Sequence, residues 1–170
     1  VNRKIIVQSC DDIKDLNCVK FLSRNSAAGI ISEDALTYHV NTTSPIARFC
    51  HNIVQGVHEG WTVTHAALQI SYFLGFSQVV IIGLDHRYHF HGRPNETNIL
   101  EGGDPNHFDE NYFGYGKSWD NPDLRNSERS FHLARKEFEK DDRSILDATV
   151  GGACTVFKKV EYRSLFNSVL

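Results

Sequence analysis

The stretch "VVIIGLDHRYHFHG", Val79 to Gly92, runs four aliphatic residues into a glycine and then into an aspartate and three histidines. Its first four positions are apolar without alternation. That pattern predicts an interior strand over Val79 to Ile82, covered on both faces as in a parallel α/β sheet. In open parallel sheets, ligands bind beyond the carboxyl ends of the strands, where the connecting loops converge. Asp85 and His86 fall at that edge. Asp85 is therefore a candidate catalytic or anchoring carboxylate and His86 a candidate nucleotide- or substrate-binding group. The plainer alternative is that Asp85 accepts backbone hydrogen bonds and closes the loop.

Working outward toward the N-terminus, "HEGWTVTHAALQISYFLG" places Val63, Ala66, Ala67, Ile70 and Leu74 at helical intervals, with Gly75 as the stop. Thr62 or Thr64 is the expected N-cap. A glycine before a helix start with two hydroxyl residues also makes a phosphate seat, so Gly60, Thr62 and Thr64 are candidate nucleotide-binding residues, with simple capping as the alternative. Further upstream, "KIIVQS" is rich in β-branched residues and reads as a strand, "DDIKDL" as a helix start, and "VKFLS" as a short strand. Gly29 to Pro45 is rich in Ser, Thr and Asn and reads as loop.

Toward the C-terminus, Arg87 to Trp119 has no sustained period and is longer than an ordinary connection, which points to a functional loop or lid. Its segment "HFDENYFGYGKSW", His107 to Trp119, could cover a ligand through Tyr112, Tyr115 and Lys117, or could anchor the loop through its aromatics. "NPDL" opens a second helix, with Asn121 as expected N-cap and Pro122 at the first helical position. Leu124, Phe131, Ala134 and Phe138 form its buried stripe. "SILDA" and "CTVF" read as late strands and "EYRSLFNSVL" as a terminal helix.

The bulk properties narrow the function classes. The chain has 170 residues, 41% hydrophobic and 23% charged, with net charge −3, which fits one globular α/β domain. Without a basic block, nucleic acid is a poor first expectation. No apolar run reaches transmembrane length. Cys10, Cys18, Cys50 and Cys154 have neither C-x-x-C spacing nor the density of a disulfide scaffold, so they read as reduced thiols of a cytoplasmic protein. His89 and His91 with His107 and Asp109 lack a zinc-site pattern, and no metal site is assigned. Magnesium bound through Asp85, Glu101, Asp104 or Asp109 and substrate phosphates is the more plausible metal reading, although scattered loop acids are usually just solvated. Neither a P-loop nor a nucleophile elbow is present. The chain begins at Val1 and contains no methionine, which suggests a fragment.

The order "GWTVTHAALQISYFLGFSQVVIIGLDHRY", "HFDENYFGYGKSW", a charged helix and "SILDATVGG" resembles the MptE-like domain family, over roughly Gly56 to Phe166. That family includes 6-hydroxymethylpterin diphosphokinases and motility accessory factors, and it is related in fold to small bacterial sialyltransferases. The resemblance implies a Rossmann-like α/β fold, a mainly parallel sheet flanked by helices. It also implies a glycosyltransferase-like enzyme of bacterial surface-glycan synthesis that takes a nucleotide-activated sugar of the CMP-nonulosonate type and a glycan acceptor. Thr62 and Thr64 would then hold phosphate, Asp85 and His86 would orient nucleotide or sugar, His107 would be the base, and Tyr115 would support the leaving phosphate. The alternatives are a magnesium-dependent diphosphotransferase, for which magnesium would be the cofactor, and a catalytically silent binding module. Homo-oligomerisation is left open. Two departures stand out: no G-x-G-P-S-L-type turn follows the first strand, so the domain is expected to be N-terminally incomplete. Tyr115 also stands where the sialyltransferases carry a catalytic histidine, and a tyrosine is a poor base at neutral pH.

Overall fold

The computed structural model describes residues 3–43, 46–99, 102, 106, 116 and 118–166. Helices are interspersed with short, mostly parallel strands in small sheets, broadly an α/β arrangement. The chain forms two compact units, Val1–Leu74 and Gly75–Leu170.

The first unit begins with α1 (Arg3–Gln8) and α2 (Cys10–Asp15). The expected strand at "KIIVQS" is thus a helix. The physical reason is spacing: Ile6, Cys10 and Ile13 recur at helical intervals and pack on a cluster with Leu22, Ala27 and Ile31, which outweighs the β preference of the isoleucines and valine. Strand β1 (Lys20–Ser23) runs parallel to β2 (Thr37–Val40), with α3 (Arg24–Ala27) between them. Strand β3 (Thr42–Thr43) runs parallel to β4 (Val57–His58). Hence Gly29 to Pro45 is not simply loop. "TYHV" buries Thr37 and Val40 while Tyr38 stays exposed, and β-formers of that kind take up strand pairing despite polar surroundings. Helix α4 (Val63–Phe73) follows, capped by Thr62, and Gly75 (φ +86°) takes the left-handed conformation that ends it. It lays Ala66 against Val40, Ile53 and Val57.

In the second unit β5 (Gln78–Ile81) pairs in parallel with β8 (Ser144–Asp147), which pairs in parallel with β9 (Lys158–Lys159). Between β5 and β8 come the antiparallel hairpin of β6 (Thr97–Ile99) and β7 (Ser118–Asp120) and the helix α5 (Leu124–Lys140). Part of the expected long loop is therefore a hairpin. The parallel pairing predicted for "VVII" is present, but its interior position is not. Among the described residues the order is β5-β8-β9, so β8 is central and β5 lies at the end, with Ile82 62% exposed. An apolar run reports contact with nonpolar matter; it does not report how many neighbouring strands complete the hydrogen bonding.

Three further boundaries move. Asp123, not Asn121, caps α5 by accepting from the Asn126 N–H at 3.1 Å. Asn121 is buried and serves the hairpin instead, donating to the carbonyls of His91 (2.7 Å) and Arg93 (3.0 Å) and accepting from Asn98 (2.7 Å). "CTVF" buries Cys154, Val156 and Phe157 without strand pairing, which begins only at Lys158. "EYRSLFNSVL" holds a 3₁₀ turn over Tyr162–Leu165. Of the predicted stripe of α5, Phe131, Ala134 and Phe138 are buried, while Leu124, at the helix start, is only half-buried.

Candidate functional site

The loops that leave the carboxyl ends of β5 and β8 interlock. Gly83 turns the chain in the left-handed region (φ +72°), and the next residue, Leu84, donates its N–H to Thr149 Oγ1 at 2.9 Å. The Asp85 carbonyl accepts from the Ala153 N–H at 2.8 Å. Gly152 makes this approach feasible, because a β-carbon there would lie 2.7 Å from the Leu84 carbonyl oxygen. The outcome is an exposed Asp85 followed by a buried His86.

His86 sits at φ +51°, a conformation uncommon for a side-chain-bearing residue and a mark of a position set by its surroundings. Its Nε2 lies 3.1 Å from Glu128 Oε1 of α5, and its ring lies 5.8 Å from that of Phe131. An ionised carboxylate only accepts, so this contact calls for a proton on Nε2. Asp85 offers carboxylate oxygens to hydroxyl donors. Asp85, being exposed, is open to such donors, while the buried His86 holds its ring against α5.

The β8 loop is anchored by Asp147, which is fully buried. It accepts from Lys159 Nζ at 2.6 Å and from the Thr149 N–H at 2.8 Å, and Lys159 also donates to the Gly152 carbonyl at 3.3 Å. Burial pushes the Asp147 carboxyl up, but the bonds from Lys159 and Thr149 outweigh it and hold the group below its ordinary value. Cys154, in the same region, has its thiol pushed up by burial, which disfavours the thiolate a nucleophile needs.

In the first unit, Gly60 (φ +57°) and Trp61 (φ +63°) turn the chain into α4. Thr62 Oγ1 accepts from the Thr64 N–H at 3.3 Å and the Thr62 carbonyl from the His65 N–H at 3.1 Å. Thr62 is thus the cap. Beside it, His58 Nδ1 lies 2.6 Å from Thr43 Oγ1, and burial, then the charge of Arg48, hold this imidazole below its ordinary value. Gln69 ties the turn down. Its Oε1 accepts from the N–H groups of Cys50 (3.0 Å) and His58 (3.1 Å), and its Nε2 donates to the carbonyls of His58 (2.8 Å) and His65 (3.0 Å).

Among the sequence candidates, the structure brings Asp85 and His86 together in one loop, and Gly60, Thr62 and Thr64 together at one helix start. His107, Tyr112, Tyr115 and Lys117 lie outside the described residues. His89 and His91 are exposed. No group of three or more metal-ligating side chains occurs among the described residues. Sequence reasoning does not single out Glu128, Asp147, Lys159 or Gln69. For Asp147 a signal exists: it ends "SILD" as an acid at a strand's carboxyl end, the rule that selects Asp85. Glu128 and Gln69 carry none, being ordinary polar residues on helices. No protein-family model, curated protein or solved structure matches this chain.

Proposed function

We propose that the chain is a glycosyltransferase-like protein of Rossmann-like design that binds a nucleotide-activated sugar, acts in the cytoplasm and serves bacterial surface-glycan synthesis. The observation that carries this reading is the exposed Asp85 beside the Glu128-held His86, where two parallel strands end. Carboxyl ends of parallel strands are where α/β folds place nucleotide and sugar ligands, and a carboxylate with a positioned imidazole suits hydroxyl recognition. The order of motifs from Gly60 to Gly152 supports the same reading. In the reaction it implies, His107 takes the acceptor proton, the acceptor oxygen bonds the anomeric carbon, and the nucleotide leaves with the bonding electron pair on its phosphate. Tyr115 supports that phosphate, and Tyr112 and Lys117 contact the donor.

Isothermal calorimetry with cytidine, adenosine and guanosine nucleotides tests the reading. The expected result is a preference for cytidine nucleotides, weakened roughly tenfold by His86→Ala, the loss of a well-made polar contact. Preference for ATP with magnesium would replace it with diphosphotransfer, and no binding of any nucleotide would favour a binding module.

A further inference from the structure

Helix α5 has two faces of very different kinds. Ser127, Ser130, Phe131, Ala134 and Phe138 are buried, and at about 100° per residue they centre on one side of the helix. The line directly opposite is formed by Arg125, Arg129, His132 and Lys136, spaced four, three and four residues apart and all exposed. Lys140 ends the same line. This ridge runs about 17 Å from Arg125 to Lys136 at the helical rise.

An ordinary solvated helix interleaves acids with bases along such a line. Here the three glutamates of α5 are engaged elsewhere or at its end: Glu128 with His86, Glu139 with Arg135 and Glu137 with Lys140. Arg135, which is off the ridge, is tied down further by donating to the Val156 carbonyl at 2.7 Å. Among the described residues, Arg125 and Lys136 have no carboxylate partner. The ridge is cationic in a chain whose net charge is −3, so its positive character is local and does not follow from composition.

We propose that this ridge is a docking surface for an anionic lipid layer, on which the protein lies peripherally with α5 along the plane. A flat sheet of negative headgroups can meet a straight row of charges without further shape complementarity, and basic residues close to such a surface each add attraction. The apolar side of α5 is already spent on the protein's own core, so the contact is electrostatic and involves no insertion. A duplex nucleic acid fits less well, because neutralising its backbone calls for a broader basic footprint than one row. The proposal goes beyond the nucleotide-sugar reading and does not depend on it.

The test is co-sedimentation of the protein with vesicles of phosphatidylglycerol and phosphatidylcholine, against vesicles of phosphatidylcholine alone. Binding to the first and not the second is expected, weakening steeply from roughly 50 to roughly 500 mM salt, because screening shortens the Debye length below about 10 Å above 0.1 M. The combined variant Arg125→Gln, Arg129→Gln, Lys136→Gln should bind about tenfold or more weakly, with its melting temperature and circular dichroism kept. A charge-reversed variant with glutamate at the same three positions should abolish binding. Equal binding to both vesicle types, no binding to either, undiminished binding by the variants, or binding to duplex DNA in preference to vesicles would each overturn the proposal.

Discussion

The turn into α4 and the loop after β5 both follow a parallel strand, and both begin with residues in left-handed conformations, yet they are held by partners at very different distances along the chain. In the first, Thr62 caps the N–H of Thr64 and Gln69 grips His58 from eleven residues downstream. In the second, His86 is held by Glu128, forty-two residues away, and Leu84 by Thr149, sixty-five residues away. A turn whose partners lie at most nineteen residues apart needs only its helix and the adjoining segments to meet. A loop held by remote partners takes shape only when strand pairing has brought those partners in, and it is the kind of place where an exposed carboxylate and a buried imidazole can be set side by side.

The largest effect should come from the anchor of the first turn. Gln69→Leu removes the side-chain partner of the Cys50 and His58 N–H groups and of the His58 carbonyl in a partly buried place, and a loss of about 3 kcal/mol in unfolding free energy is expected from these unsatisfied backbone groups. Denaturant unfolding would measure it. A near-unchanged midpoint would show that the turn is held by its cap alone, and the contrast drawn here would fail on that side.

A smaller effect, with a pH signature, should come from the anchor of the second. Asp147→Asn is expected to cost about 1–2 kcal/mol at neutral pH, through weakened charge-assisted bonds to Lys159 and Thr149. The native Asp147 carboxyl lies below its ordinary value, so its contribution is present in full above the ordinary carboxylate range and is lost as pH falls through the native value. Wild type and variant should therefore converge in acid. Melting curves that stay equally separated from neutral to acid pH would show that the charge on Asp147 is not what holds the β8 loop.

The smallest effect concerns the cap. Thr62→Ala should cost about 1 kcal/mol, with Thr62→Ser recovering most of it, whereas Thr64→Ala should leave α4 nearly as stable. If Thr64→Ala proved the more harmful of the two, the assignment of Thr62 as cap would be wrong. Comparing helix stability with nucleotide affinity in the same variants also separates capping from phosphate binding.

How far the sequence was legible follows the same division. The helix at Val63–Phe73, its threonine cap and its glycine stop rest on contacts within a few residues, which capping chemistry reports directly, and the stripe of α5 follows the helical period even though Phe131 packs on the distant Phe157. "KIIVQS" misleads because its β-branched composition is local, whereas the cluster that buries Ile6 includes Leu22, Ala27 and Ile31. Asn121 misleads for a related reason: it has the chemistry of a cap, but the hairpin claims its side chain and Asp123 takes that role. Asp85 and His86 could be picked out by their place after an apolar run, while the glutamate that holds His86 could not.

What the sequence by itself determined, then, is the broad α/β class, the helices α4 and α5, the strands at "VVII" and "SILD" and the position of Asp85 just past one of them, because hydrophobic period, caps and stops act between near neighbours. Only the tertiary structure decided that β8 and not β5 is the middle strand of its sheet, that Glu128 faces His86, and that Asp147 is buried against Lys159. Each of those depends on which distant segments meet. Pairing energies between segments are set by packing and desolvation at contact, and no window of neighbouring residues contains them.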